Sequence, residues 1–135
     1  MLTTKREIGR IQRRYPIGAE LIGENETYFR VWAPKARHID LVLEESRVKD
    51  SRPTFHPLEA NEAGYFSGAV NAGAGARYWF RVNNAQNFYP DPASRFQPDG
   101  PHGSSCIVDP TEFQWTDSEW PGITLKGQII YEMHI

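Results

Sequence analysis

Hydrophobic and polar residues alternate with a period of two along several short segments of this chain, which is the pattern of strands with one buried face. The clearest segment is 27–32, where the alternation directs Thr27, Phe29 and Val31 towards a core. The intervening side chains face the other way. Ala33-Pro34 ends the segment, because proline cannot donate a hydrogen bond to a neighbouring strand.

Further segments of the same kind follow, each bounded by glycine, asparagine or proline. They are 38–44, 54–58, 64–70, 77–82 and 105–109. The first of them forms either a hairpin with 27–32 or a pair that crosses between two sheets. No helical period of any length occurs. The pattern therefore predicts an all-β domain over residues 15–110, an antiparallel β-sandwich of immunoglobulin-like build.

The last part of the chain has a different texture. Residues 111–128 contain Trp115 and Trp120 but show no clear period, which indicates a linker laid over a surface. Residues 129–135 are almost continuously apolar, as in a strand that is buried on both faces of a parallel barrel. An apolar strand without neighbours either folds back or pairs with another chain, and we expect self-association through this tail.

Composition narrows the classes of function. The net charge is −2, but residues 1–14 carry +4, so the remaining residues sum to −6. An acidic body with a short basic arm at 1–14, interpreted as a solvated tail, argues against nucleic-acid binding. No apolar run approaches the length that crosses a bilayer, and the start does not have the pattern of a secretory signal. With Cys106 as the single cysteine, a cytoplasmic location is expected.

Candidate catalytic groups are weak. Asp91, Asp99 and Asp109 each lie beside or one residue from a proline, where an aspartate normally caps a turn. The four histidines match no zinc spacing, and the glycine-rich segment 71–76 lacks the ending of a phosphate loop. We therefore predict no catalytic residue, no metal and no cofactor. Asp91 and Arg95 are expected to be structural, the first as a turn cap and the second as a tie between its loop and the body.

Two tryptophans stand out because the alternation turns Trp32 and Trp79 away from the core. Flat aromatic side chains stack on sugar rings, so both are candidate sugar contacts. Exposed apolar patches more often mark protein contacts, so docking under the linker or a neighbouring domain is the favoured interpretation of both.

Several motifs together resemble the amino-terminal region of the maltooligosyltrehalose trehalohydrolases, a family of the alpha-amylase superfamily. The resemblance runs from about Ile17 to the last residue. It rests on Phe29-Arg30-Val31-Trp32-Ala33-Pro34, Gly75-Ala76-Arg77-Tyr78-Trp79, Asp91-Pro92-Ala93-Ser94-Arg95, Val108-Asp109-Pro110 and Ile130-Tyr131-Glu132-Met133-His134.

The resemblance implies an early-set sandwich, akin to the family-48 carbohydrate-binding modules, ahead of a (β/α)8 barrel whose first strand begins near Ile129. The carboxylates that hydrolyse the sugar bond would lie on later barrel strands, so the chain would have no catalytic role of its own. Its partners would be that barrel and, weakly, a maltooligosaccharide. An immunoglobulin-like protein-interaction domain and the equivalent module of a glycogen branching or debranching enzyme are the alternatives.

Overall fold

A computed structural model describes residues 13–44, 52–61 and 63–134. Residues 1–12 of the predicted basic arm and Ile135 of the predicted barrel strand lie outside these ranges. Nine strands follow one another within the described ranges. They are β1 (Gly18–Gly23), β2 (Glu26–Trp32), β3 (Ile39–Leu43), β4 (Thr54–Pro57), β5 (Glu59–Ala60), β6 (Tyr65–Val70), β7 (Arg77–Val82), β8 (Phe88–Tyr89) and β9 (Ser105–Cys106).

The strands form two antiparallel sheets, which confirms the all-β, antiparallel prediction. The first sheet has the order β1-β2-β6-β5, and the second has the order β4-β3-β7-β8. β9 also belongs to the second sheet, where it pairs with β7 beside β8. Within the described ranges, no helix is long and apolar enough to cross a membrane.

The core lies where the inward faces of the two sheets meet. Phe29 from β2 packs edge-on against Tyr78 from β7, with ring centroids 5.0 Å apart. Around this pair are the aliphatic and aromatic residues that the alternation predicted to be buried, together with Leu58, Ala72 and Ile107 from the connections. Burial of such side chains contributes about 25 cal/mol for each Å² removed from water, so this layer holds the sheets together.

The chain crosses from one sheet to the other between β2 and β3, so the hairpin alternative for these strands is wrong. The Ala33-Pro34 turn makes the crossing possible, since it breaks the ladder before β3 begins. Gly64, which immediately precedes β6, packs against this turn. Its φ of +79° is in the left-handed region, and an added Cβ would lie 2.8 Å from the Cβ of Pro34. A larger residue at position 64 would therefore strain the backbone and collide with the turn.

Three details differ from the predicted strands. The strand expected over 105–109 ends after Cys106, because Ile107 turns into the core and its N–H donates to the Ala76 carbonyl. β5 and β8 are short strands of two residues each, too brief to show an alternation. Residues 111–134 contain no strand and are exposed, with Ile129 at 96%. The tail therefore does not fold back along the sandwich.

Candidate functional site

The outward face of the second sheet carries a cluster of aromatic and charged side chains, which we call the aromatic face. It consists of Val42, Phe55, Trp79, Arg81 and Phe88. The strand register accounts for the cluster: Val42 lies opposite Phe55 on β4 and Trp79 on β7, and Arg81 lies opposite Phe88 on β8. Alternation alone then turns all five side chains to the same side of the sheet.

Val42 is fully buried although it points away from the core between the sheets. Its cover comes from its cross-strand neighbours. Phe55 packs edge-on against Phe88 with ring centroids 5.9 Å apart, and the guanidinium carbon of Arg81 lies 4.1 Å from the centre of the Phe55 ring. Side chains of the same sheet therefore cover Val42. The outer surface of this side-chain layer is open to solvent, and Phe55 is 41% exposed.

Charged groups fix the positions of the aromatic face. Arg81 donates two hydrogen bonds to Oδ2 of Asp40, at 2.9 and 2.6 Å, while a ring nitrogen of His38 lies 2.8 Å from Oδ1. The indole N–H of Trp79 donates to Oε1 of Glu44 at 2.5 Å. Because Asp40 is buried, the guanidinium of Arg81 is held rigidly over Phe55.

The predicted pair of tryptophans is divided between the two sheets. Trp79 lies in the middle of β7, in the second sheet, and Trp32 is the last residue of β2, in the first. Each faces outward from its own sheet, so the two rings lie on different surfaces. Period-two alternation shows that a side chain points outward but does not show to which sheet its strand belongs.

Trp32 belongs to a different surface, which we call the apolar ledge. It consists of Trp32, Ala33, Pro34, Ala36 and Val82, which line one open depression together with Lys35 and Asn83. Trp32 is 56% exposed. The ledge lies where β2 ends and β7 ends, so the turn that carries the chain between the sheets also builds it.

The carboxylates considered for catalysis are bound by neighbouring groups of the domain. Oδ1 of Asp91 accepts from the Ala93 N–H at 2.8 Å, and Oδ2 accepts from the Tyr78 hydroxyl at 2.8 Å. Asp99 forms an ion pair with Arg77. Asp109 accepts from both the N–H and the hydroxyl of Thr111. Within the described ranges, no three metal-ligating side chains come together to hold an ion.

Burial shapes the protonation of the Asp91 network. Loss of water raises the pKa of the Asp91 carboxyl, an effect that the hydrogen bonds from Ala93 and Tyr78 oppose. Burial and the neighbouring Asp91 charge raise the pKa of Tyr78 far above its ordinary value. A shifted carboxyl can indicate catalysis, but this one is enclosed by its own turn and by Ser105, whose hydroxyl accepts from the Asp91 N–H.

Arg95 reaches from the same loop to the first sheet. Its Nη1 donates to the Ala19 carbonyl at 2.7 Å, and its guanidinium carbon lies 4.0 Å from the centre of the Tyr15 ring. These contacts join the loop after β8 to β1 and to the segment before it. The structural role expected for Asp91 and Arg95 stays a prediction until stability is measured.

An antiparallel sandwich that turns a fixed aromatic face to solvent has the build of a carbohydrate-binding module. The chain belongs to the family described as carbohydrate-binding module 48 (isoamylase N-terminal domain), which it matches over residues 16–110.

Three relatives illustrate the resemblance. The chain is 36% identical to a malto-oligosyltrehalose trehalohydrolase of Deinococcus radiodurans over 115 residues, 85% of this chain and 18% of the relative. It is 32% identical to the enzyme of the same name from Saccharolobus solfataricus, over 84% of this chain and 19% of the relative. A 1,4-alpha-glucan branching enzyme of Ralstonia nicotianae is 27% identical over 87% of this chain and 17% of the relative.

Solved structures give the same picture. The crystal structure of a putative alpha amylase from Salmonella typhimurium superposes with a TM-score of 0.68 at 30% identity, over 81% of this chain and 17% of that one. The chain thus spans less than one fifth of the length of the relatives and of the solved structure that it matches.

Proposed function

We propose that this domain is the non-catalytic amino-terminal module of a trehalohydrolase that cleaves the α-1,4 bond next to the trehalose end of maltooligosyltrehalose. The observation that carries the proposal is the resemblance to the trehalohydrolases, in which the domain occupies less than a fifth of the polypeptide. Asp91, Asp99 and Asp109 are each bound by neighbouring groups of the domain, which supports the non-catalytic role. Hydrolysis of a sugar bond needs two carboxyl groups facing each other across a cleft.

In this proposal residues 111–128 are a linker, and residues 129–135 become the first strand of a catalytic barrel. The exposure of Phe113, Trp115, Ile129 and Ile130 supports the idea that these apolar side chains are covered by a partner. The main task of the module is then to dock against that barrel in the cytoplasm.

The aromatic face supports a second, weaker task. Sugar rings stack on flat side chains while their hydroxyls need polar partners, and this face places Trp79 and Phe55 beside the fixed guanidinium of Arg81. One or two stacked rings on an open sheet bury little surface, so we expect dissociation constants of about a millimolar or weaker.

The decisive experiment measures trehalose released from maltooligosyltrehalose by the full-length polypeptide and by the 135-residue chain. The full-length polypeptide should release trehalose, and the short chain should release no more than a heat-killed control. Transfer or cleavage of α-1,6 bonds by the full-length polypeptide would instead assign the module to a branching or debranching enzyme. Trehalose release by the short chain would contradict the non-catalytic role.

A further inference from the structure

The apolar ledge is a candidate docking surface whose character differs from that of the aromatic face. Its lining is mostly hydrocarbon from Trp32, Ala33, Pro34, Ala36 and Val82. Aliphatic side chains and a proline ring give this surface a defined shape, but they offer few hydrogen-bonding groups.

Three polar groups at the ledge are engaged within the domain. The Ala33 N–H donates to the Gly64 carbonyl at 2.9 Å, and the Ala36 N–H donates to the Ala33 carbonyl at 2.9 Å. The side-chain oxygen of Asn83 accepts from the N–H groups of Arg37 and His38, at 2.8 and 3.1 Å. A sugar loses hydrogen bonds to water when it binds and needs replacements. An apolar protein surface needs none.

The ledge is also built on two defined turns. Pro34 packs against Gly64, and the adjoining turn holds Asn83 and Asn84 at φ of 51° and 58°, a left-handed conformation that asparagine tolerates better than most residues. A surface that is already in place loses little conformational entropy when a partner covers it.

We infer that the apolar ledge docks onto the polypeptide that follows the linker in the full-length enzyme, on an apolar patch rimmed by carboxylates. This inference rests on the proposed function. Relatives more than five times longer than the matched region supply the partner, and covalent linkage keeps it at a high effective concentration. We expect carboxylates on the partner because the positively charged side chains of Lys35 and Arg37, beside the ledge, are exposed.

The test measures how fast chymotrypsin cuts segment 111–128 in the full-length polypeptide. Trp32→Ser should speed cleavage about tenfold, because an undocked module exposes the linker. Phe55→Ser, an exposed aromatic residue on the aromatic face, should leave the rate unchanged. The same substitutions in the 135-residue chain, followed by thermal unfolding, show whether the sandwich stays folded. If Trp32→Ser unfolds it, Lys35→Glu replaces it and should speed cleavage by repelling the carboxylates.

Equal cleavage rates for the parent and the folded ledge variant would overturn the inference. So would a maltoheptaose-dependent NMR shift at Trp32, or a dimer of the 135-residue chain that Trp32→Ser abolishes, since each assigns the ledge to another occupant. Trehalose release by the parent polypeptide is measured separately. Its absence contradicts the proposed function, and the cleavage rates still decide whether the ledge docks.

Discussion

The outward faces of the two sheets are covered in different ways. On the first sheet, residues 13–16 lie over the strands and are held by arginines: Arg13 donates to the Gly18 carbonyl, and Arg30 donates to the Pro16 carbonyl. On the second sheet, among the residues that the structure describes, the side chains of the aromatic face cover Val42. Each face buries one carboxylate, Glu20 on the first sheet and Asp40 on the second. Backbone N–H groups of the covering segment bind Glu20, whereas the guanidinium of Arg81 binds Asp40 and leaves the rings of the open face available to a ligand.

The largest effect is expected at Glu20, which is buried under the segment before β1. Its carboxylate accepts from the N–H groups of Arg14 and Tyr15 and lies within 3.4 Å of the Arg13 guanidinium. Glu20→Gln should lower the free energy of unfolding by about 2 kcal/mol, the scale of hydrogen bonds to a charged group. Urea unfolding measures it. The matched control is Glu26→Gln, an exposed position, with a change within about 0.5 kcal/mol. Equal effects would show that residues 13–16 do not stabilise the fold.

The pH dependence of stability should have opposite signs at Glu20 and at Asp91. Burial raises the pKa of Glu20, but the N–H groups of Arg14 and Tyr15 and the Arg14 side chain lower it more, so the net pKa is below its usual 4.5. Folding favours the ionised carboxylate. The stability that Glu20 contributes is therefore fully present above pH 4.5 and is lost as the pH falls through the pKa of the folded state.

Asp91 has the opposite sign, because burial raises its pKa and its ionisation costs stability as the pH rises above 3.8. Because Asp91 is present in both proteins, the stability difference between the parent and Glu20→Gln reports Glu20. This difference, measured by urea unfolding at each pH, should shrink between about pH 5 and about pH 2. A difference that stays constant would rule out a charge effect at Glu20.

Arg95 joins the covered face to the loop after β8, and a smaller loss is expected there. Arg95→Ala removes the bond to the Ala19 carbonyl and the contact with Tyr15 and should cost about 1 kcal/mol, since the side chain is exposed. Arg95→Lys should recover only part, because an ammonium does not stack as a guanidinium does. An unchanged thermal midpoint for Arg95→Ala would show that Arg95 does not tie the loop to the body of the domain.

Sugar binding is expected to be weak and confined to the open face. Maltoheptaose should shift NMR signals of Trp79 and Phe55 with a dissociation constant of about a millimolar or weaker. Trp79→Ala should abolish the shifts, and Trp32→Ala, on the other sheet, should leave them in place. Micromolar affinity would contradict the estimate and make sugar capture a main task of the domain.

The smallest free-energy change is expected for self-association through the tail. The apolar side chains of the tail are exposed. Sedimentation of the 135-residue chain should give a mass that rises with concentration. A version that ends at Pro110 should remain a monomer at every concentration. Identical monomeric behaviour of both would show that the tail does not drive association.

Most of the fold follows from local pattern. The alternation in 27–32 and 77–82 predicts β2 and β7 and the side chains that they bury, because one face of each strand meets the core. Pairing between strands distant in sequence is not written in that pattern, so the sheet assignment of β3 needed the structure. For the same reason, the sequence indicated Trp79 but missed Phe55 and Phe88 beside it.

Long-range contacts also explain the error at the amino-terminal end. The sequence predicts a solvated tail for Arg13 and Arg14, because chain ends are usually loosely held. The structure places Arg13 in a half-buried position, where its guanidinium carbon lies 5.0 Å from the centre of the Tyr28 ring, and joins both arginines to Glu20. Burial lowers the pKa of Arg13, an effect that Glu20 opposes. A sign of this contact in the sequence is the lone acidic residue inside β1, a strand that is otherwise uncharged.

The brevity of the peripheral strands bears on how this domain avoids aggregation. β5, β8 and β9 contain two residues each, and β4 ends in Pro57, which has no N–H to donate. β1 is longer, but its register shifts between Leu21 and Gly23. A foreign strand adds to a sheet only where a straight run of backbone groups is open to it. Among the described residues, the outer strands of both sheets lack a long run of this kind, so we expect the sheets not to grow into fibrils at high concentration.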